Sequence, residues 1–322
     1  MNEEISPNLG LDLVRVTESA ALSAGRWMGL GKPEESNLQA ANAMGEAFNT
    51  LDIEGHIVVG EEGKLGRHTN LDSGTKVGTM SGPSVDVVVD PIDGVIPLSQ
   101  GRPNAISVAG LAPRGSMWDP SPAVYMEKII VDKEAAGALV PECMDAPAAW
   151  TLALVARVKK KKIGDLVVFV LNRERHDHLI EEIRTAGARI MLKDHGDISG
   201  ALMAASSRVE VDILMGIGGV PEGVIAACAV KSMGGAMLGR LAPQTPEERS
   251  AVEDAGLDTK EILSCSNLVR GEDIFFAATG ITTSRLLAGI HYRGNFAETE
   301  SVIIRCKTRT RRIIHAEHFL GD

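Results

Sequence analysis

Between Asp165 and Met233 the chain alternates with little interruption between β-branched runs and amphipathic or apolar helical stretches. DLVVFVL reads as strand, HDHLIEEIRTAG as helix, ARIMLK as strand, ISGALMAAS as helix, VDILMGIGG as strand and PEGVIAACAVKSM as helix. Strand and helix in strict turn predict βαβ units, and therefore an open α/β sheet with helices on both faces.

The first half predicts a different order. From Leu11 to Met28 the residues Leu13, Val16, Ala20, Ala24 and Trp27 recur at spacings of three and four, the stripe of a core-facing helix. A second helix is expected over Asn37 to Phe48, then a short strand HIVVG running into Glu61 and Glu62. Residues 63–82 are rich in Gly, Ser, Thr and Asn and read as a long surface excursion. Asp86 to Asp90 is the next expected strand, its Val run suited to burial on both faces. AVYMEKIIV predicts another strand, and Ala146 to Lys162 a helix whose basic end KKKK faces its own C-terminal carbonyls. APQTPEERSAVEDAGLD reads as a polar linker, followed by FFAATGI and two alternating strands, ESVIIRCKTRT and RRIIHAEHF, joined through the basic KTRTRR. The expected division is an N-terminal α+β domain, 1–155, and a C-terminal α/β domain, 156–322.

Composition narrows the function classes. With 33 Lys and Arg against 43 Asp and Glu, the formal net charge is −10, which opposes non-specific nucleic-acid binding. Cys143, Cys228, Cys265 and Cys306 are far apart and form no CxxC or zinc spacing, which predicts reduced thiols in a cytoplasmic protein. The N-terminus MNEEISPNLG is acidic where a signal peptide is basic, and no apolar run reaches membrane-spanning length.

Four acids, Glu61, Asp90, Asp93 and Glu222, follow expected strands, where open α/β sheets collect ligands. Gathered carboxylates suit a hard divalent cation; taken singly, each acid also suits a helix cap or turn. In Asp90-Pro-Ile-Asp93-Gly, proline interrupts the ladder, glycine permits an unusual backbone angle, and both acids can enter one pocket. The pattern resembles the DPIDGT or DPIEGT of metal-dependent, lithium-sensitive sugar and inositol phosphatases.

The resemblance extends along the chain. RVTESAAL, NAM, the strand ending on Glu61, VDPIDG, YMEKIIV, RHD, GIGGVPEGV, FFAATGIT and the terminal RGN, TE and IIR are similar, in order, to the class II fructose-1,6-bisphosphatases. That resemblance implies a layered α/β sugar-phosphatase fold with helices packed on two mixed sheets, dependence on Mg²⁺ or Mn²⁺, a phosphorylated sugar or cyclitol as ligand, and a homodimer or homotetramer. It implies Glu61, Asp90, Asp93 and Glu222 as metal carboxylates. It implies Asp93, Gly94, Val95, Tyr125, Arg173, Glu174, Arg175, His195, Gly196, Asp197 and Gly219 as substrate contacts. Arginine suits that task because its planar fork meets phosphate oxygens in pairs.

Four positions depart from the family pattern: Pro33 stands for lysine, Asn37 for an essential aspartate, Val95 for threonine and His195 for a hydroxyl-binding aspartate. Asp93 also stands for the glutamate usual in the class. The aspartate and threonine are the family's water-activating pair, and neither an amide nor an isopropyl group accepts a proton near neutral pH. With His195 able to carry protons at that pH, the expectation is a non-hydrolytic isomerase or tautomerase of a ketose or cyclitol phosphate, with His195, Asn37 and Asp93 as its catalytic residues. Two alternatives stand beside it: a Mg²⁺-dependent fructose-1,6- or sedoheptulose-1,7-bisphosphatase using Glu62 or Glu35 as base, and a silent sugar-phosphate-binding subunit.

Overall fold

The predicted stripe near the N-terminus forms helix α1 (Leu9–Gly25), burying Leu13, Val16, Ala20 and Ala24. These contacts come from a computed structural model, which describes residues 8–61 and 68–321. Helix α2 (Pro33–Phe48) begins four residues before the expected Asn37, because Pro33 is tolerated in a first turn whose acids Glu34 and Glu35 complement the helix dipole. Its buried face carries Asn37, Ala40, Ala41, Met44 and Phe48.

Strands β1 (Glu54–Val59), β2 (Lys76–Val77) and β3 (Ser84–Asp93) follow, then the one-turn helix α3 (Val95–Ser99) and strand β4 (Ile106–Pro113). β3 runs parallel to β1 and antiparallel to β4. It does not stop at Asp90 as expected. The ladder with β4 slips between Asp90 and Asp93 and resumes, so Pro91 is absorbed in a bulge instead of ending the strand.

From Trp118 the chain builds a second unit, which closes at Arg270. Its strands and helices are β5 (Tyr125–Val131), α4 (Ala148–Val158), β6 (Val167–Leu171), α5 (Asp177–Thr185), β7 (Arg189–Lys193), α6 (Asp197–Ala205), β8 (Ile213–Gly219), α7 (Val220–Ser232), β9 (Ala236–Leu241), α8 (Pro246–Asp254), β10 (Leu263–Ser264) and α9 (Cys265–Leu268). The sheet order is β10-β9-β5-β8-β6-β7. β6 pairs in parallel with β7 and β8, whereas β5 is antiparallel to β8 and β9, so the sheet is mixed. One apolar cluster of this unit joins Ile129 and Val131 of β5 to Leu152 and Val155 of α4 and Ile183 of α5.

The expected polar linker is corrected by α8. Thr245 caps that helix by accepting from the Glu248 N–H at 3.1 Å, and Glu248 accepts the N–H groups of Val124 and Tyr125 at 3.0 and 2.9 Å. A surface helix with one buried apolar residue, Val252, has too weak a stripe to be distinguished from a linker by periodicity.

The chain then returns to the first sheet through β11 (Phe275–Gly280), β12 (His291–Arg293), β13 (Phe296–Arg305) and β14 (Thr310–Phe319). β11 is antiparallel to β4 on one side and β13 on the other, giving an eight-stranded sheet ordered β12-β13-β11-β4-β3-β1-β2 with β14 on β13. Its core joins Leu13, Val16 and Ala20 of α1 to Val87 and Val89 of β3 and Phe275 and Ala277 of β11. The first unit is therefore Met1–Met117 with Gly271–Asp322. The boundary expected near residue 155 falls inside the second unit, because the C-terminal strands pair with partners far upstream and local pattern does not encode such pairing. No described helix is long and apolar enough to cross a membrane.

Candidate active site

In the first unit the predicted acids lie at the ends of β1 and β3. Asp90 pairs with Val108 and Asp93 with Ile106. Val108 and Ile106 are two apart and share a face of β4, so the bulge at Pro91 brings Asp90 and Asp93 to that same face. Without the extra residue, an odd separation would place the two acids on opposite faces. Val87, Val89 and Ile92 point the other way, into the apolar cluster with α1 and α2. Asp90 Oδ1 accepts the Ile92 N–H at 3.0 Å, which fixes the carboxylate across the proline. Gly94 has φ of 99°, a left-handed angle, and caps the start of α3. Val95 follows, buried, as the first residue of that helix.

Glu61 lies two residues past β1, and its N–H donates to the Leu71 carbonyl at 3.1 Å. Its buried side chain accepts from Asn37 of α2: Nδ2 donates to Oε2 at 2.9 Å. Asn37 Oδ1 is buried and has no hydrogen-bond donor. Among the described residues no three His, Cys, Asp or Glu side chains stand together at metal-binding spacing. One oxygen of Glu61 is engaged by the Asn37 amide and one oxygen of Asp90 by the Ile92 N–H. The local chemistry nevertheless fits a divalent cation. Buried carboxylates are less costly beside positive charge, and a buried carbonyl oxygen with no donor supplies a neutral hard ligand.

Of the two alternative bases, Glu35 is exposed on the first turn of α2, and Glu62 lies outside the described residues.

The second unit carries the other predicted residues. Tyr125, first residue of β5, pairs with Gly219, last of β8. Arg175 stacks over the Tyr125 ring at 4.8 Å and donates through Nη2 to the Ile217 carbonyl at 3.1 Å, while its buried Nε has no partner. Arg173 bonds the Asn172 carbonyl at 2.8 Å, and Glu174 between them is exposed. His195 and Gly196 form the turn from β7 into α6, with His195 half-buried, and Asp197 opens α6. Glu222 lies in the first turn of α7.

Two residues that sequence reasoning missed organise this unit. Lys128, 1% exposed, pairs with Asp197 and donates to the Gly219 carbonyl at 3.1 Å. A lysine inside the apolar YMEKIIV was the available signal, because an ammonium is buried only with a partner. The second is His176, which lies beneath Arg175. Its Nδ1 lies 2.6 Å from the Leu171 carbonyl, and its Nε2 accepts the Ile217 N–H at 2.8 Å, so the ring is neutral with Nδ1 protonated. Burial holds its pKa below the usual value.

A side chain at Gly218 or Gly219 would have to displace a carboxylate. A Cβ on Gly218 would lie 1.9 Å from Asp197 Oδ2, and one on Gly219 would lie 1.7 Å from Glu222 Oε2. Both carboxylates therefore rest directly against the backbone at the end of β8.

The comparisons with known proteins agree with one another. The family model described as bacterial fructose-1,6-bisphosphatase, glpX-encoded, matches residues 7–318. A fructose-1,6-bisphosphatase class 2 of Haemophilus influenzae is 36% identical over 327 residues, covering 98% of this chain and 97% of its own. Fructose-1,6-bisphosphatase 1 class 2 of Escherichia coli K12 is 36% identical over 325 residues, covering 97% and 95%. These findings correct the expectation of an isomerase or tautomerase: relatives matched over nearly their full length are named as phosphatases. The inference from Asn37 and Val95 gave two side chains more weight than the framework retained around them, in which Asn37 still contacts Glu61. From end to end, this chain belongs to the class 2 fructose-1,6-bisphosphatase family.

Proposed function

We propose that the protein is a divalent-cation-dependent phosphatase that hydrolyses a phosphate monoester of a ketose bisphosphate, with fructose 1,6-bisphosphate the first candidate and sedoheptulose 1,7-bisphosphate the second. The observation that carries this reading is the contact of Asn37 with Glu61, which leaves a buried carbonyl oxygen open beside a carboxylate. Within the first unit, Glu61, Asp90 and Asp93 would hold Mg²⁺ or Mn²⁺, with Asn37 Oδ1 as a neutral addition. When bound, such a cation supplies Lewis acidity and lowers the pKa of water.

The protein's own groups bind and orient. Arg173 and Arg175 meet phosphate oxygens, and the Tyr125 ring and Ile217 carbonyl hold the Arg175 guanidinium in plane. Asp197, fixed by Lys128, accepts from sugar hydroxyls, and His195 and Gly196 complete that contact. Gly94 and Val95 bring backbone N–H groups at the start of α3 toward phosphate oxygens. Asn37 Oδ1 can orient a water but cannot take its proton, so turnover is slower than with an aspartate there. General-base assistance is worth about 10²–10⁴-fold.

Phosphate release from fructose 1,6-bisphosphate, measured with Mg²⁺ or Mn²⁺ and again with chelator, tests this reading. Cation-dependent release is expected. A folded protein that releases no phosphate from either bisphosphate with either cation would overturn it.

A further inference from the structure

Strands β6 and β8 part before they end. Their parallel ladder pairs Val168 with Ile213 and Phe169 with Leu214 and goes no further, although β6 runs on to Leu171 and β8 to Gly219. Parting strands leave backbone groups without ladder partners, and inside a protein such groups need a substitute. The His176 ring is that substitute. It is 2% exposed and lies between the two strand ends, where Nδ1 donates to the Leu171 carbonyl at 2.6 Å and Nε2 accepts the Ile217 N–H at 2.8 Å. One imidazole thus spans a gap that ladder bonds leave open. Gly216 makes room for it: its φ is 133°, and a Cβ there would lie 3.1 Å from Cε1 and Nε2 of the ring.

The contact reaches beyond the gap. His176 closes the short helical turn Glu174–His176, its N–H donating to the Arg173 carbonyl at 2.8 Å, so the buried ring anchors the turn that carries both arginines. Ile217 is held at both of its backbone groups, the N–H by His176 and the carbonyl by Arg175 Nη2 at 3.1 Å. With the Tyr125 ring 4.8 Å away, the guanidinium is fixed on two sides. A planar fork pairs with phosphate oxygens most tightly when its plane is set before the ligand arrives, because a wandering side chain loses its freedom on binding.

We infer that His176 is a positioning residue for phosphate recognition: by bridging Leu171 and Ile217 it sets the Ile217 carbonyl that orients Arg175 toward a sugar phosphate. The inference rests on the proposed contact of Arg175 with phosphate, and not on hydrolysis.

Calorimetric titration of the full chain with fructose 1,6-bisphosphate in chelator tests it, because binding is then read apart from turnover. A protein that binds the sugar and hydrolyses nothing would unseat the proposed activity and leave this inference standing. His176→Leu keeps apolar bulk and removes both bonds, and is expected to raise Kd about tenfold or more. His176→Gln carries a donor and an acceptor on one amide and is expected to stay within about threefold of the wild type. In an Arg175→Lys background, which keeps the charge and loses the fork, His176→Leu should cost less than about twofold, since the ring acts through the guanidinium. With Mg²⁺, His176→Leu should raise KM and leave kcat nearly unchanged. Circular dichroism checks folding, and His176→Asn, too short to span both backbone groups, takes the place of His176→Leu if that variant is unfolded, with an expected loss of about fivefold. A wild type that does not bind the bisphosphate, a His176→Leu protein that binds as tightly as the wild type, a His176→Gln protein no better than His176→Leu, or full additivity with Arg175→Lys would overturn the inference.

Discussion

Asn37 donates to Glu61 at 2.9 Å through its amide nitrogen and leaves its amide oxygen buried without a donor. One side chain thus holds a carboxylate in place and keeps an acceptor in reserve. An aspartate at 37 would accept at both oxygens and would repel Glu61 until a cation or proton intervened.

The first prediction follows from that contact. Asn37→Asp is expected to lower stability in cation-free buffer by roughly 1–3 kcal/mol, through the lost hydrogen bond and the added like charge. Millimolar Mg²⁺ should restore it. Urea denaturation with and without chelator reads the difference, and phosphate release with Mg²⁺ should rise by about 10²-fold or more.

Val95→Thr replaces a buried methyl with a hydroxyl at the start of α3. Alone it is expected to cost about 1 kcal/mol, since the swap conserves volume and not polarity. Combined with Asn37→Asp, the gain in phosphate release should exceed the product of the separate gains. Steady-state kinetics of the three variants checks that excess.

Lys128→Met leaves Asp197 without its buried counter-ion and frees the Gly219 carbonyl. Removing one partner of a buried pair is typically a loss of roughly 3–5 kcal/mol, and 3 is the expectation here because Asp197 retains some exposure. Denaturant midpoints give the loss. In whatever folded protein remains, the proposed sugar-positioning role of Asp197 predicts that KM rises more than kcat falls.

Gly218→Ala drives a methyl into the space of Asp197 Oδ2 and Lys128 Nζ. Backbone or ion pair must shift, at a cost of about 1–3 kcal/mol. Thermal melting measures it, and Lys128→Met/Gly218→Ala should lose less than the sum of the single changes because both act on one contact.

Between about pH 4.5 and 7, His176 and Glu18 contribute to stability with opposite sign. His176 has a lowered pKa, so below about 6.5 the unfolded chain takes up a proton that the folded ring refuses, and stability falls as pH drops. Glu18, buried among Thr299, Ser301 and His318, has a raised pKa, caused first by burial. Above about 4.5 the unfolded carboxyl ionises before the folded one, and stability falls as pH rises. Melting curves from pH 4.5 to 7 on His176→Gln and Glu18→Gln should separate them: each variant loses one slope, and the two slopes have opposite sign.

Local pattern made much of this molecule legible. The stripe on α1, the Val run of β3 and the alternation of β13 and β14 each carry their period in neighbouring residues. The acid pair at Asp90 and Asp93 was legible as a motif, but its geometry was not, because a proline that suggests termination was housed in a bulge. Lys128 and Asp197 are distant in sequence, and only the fold reveals the buried partner that explains each. The same holds for the C-terminal strands, whose pairing with β4 and β11 depends on contacts that no window of twenty residues contains.

That return of the chain also sets an order of assembly during synthesis. β4 leaves the ribosome with one edge bare, and its neighbour β11 is not made until the whole stretch from Trp118 to Arg270 has emerged. The second unit has all its strands in hand during that interval, while the first holds an unfinished sheet. Translation speed through residues 118–270 therefore governs how long a bare apolar strand waits for its partner.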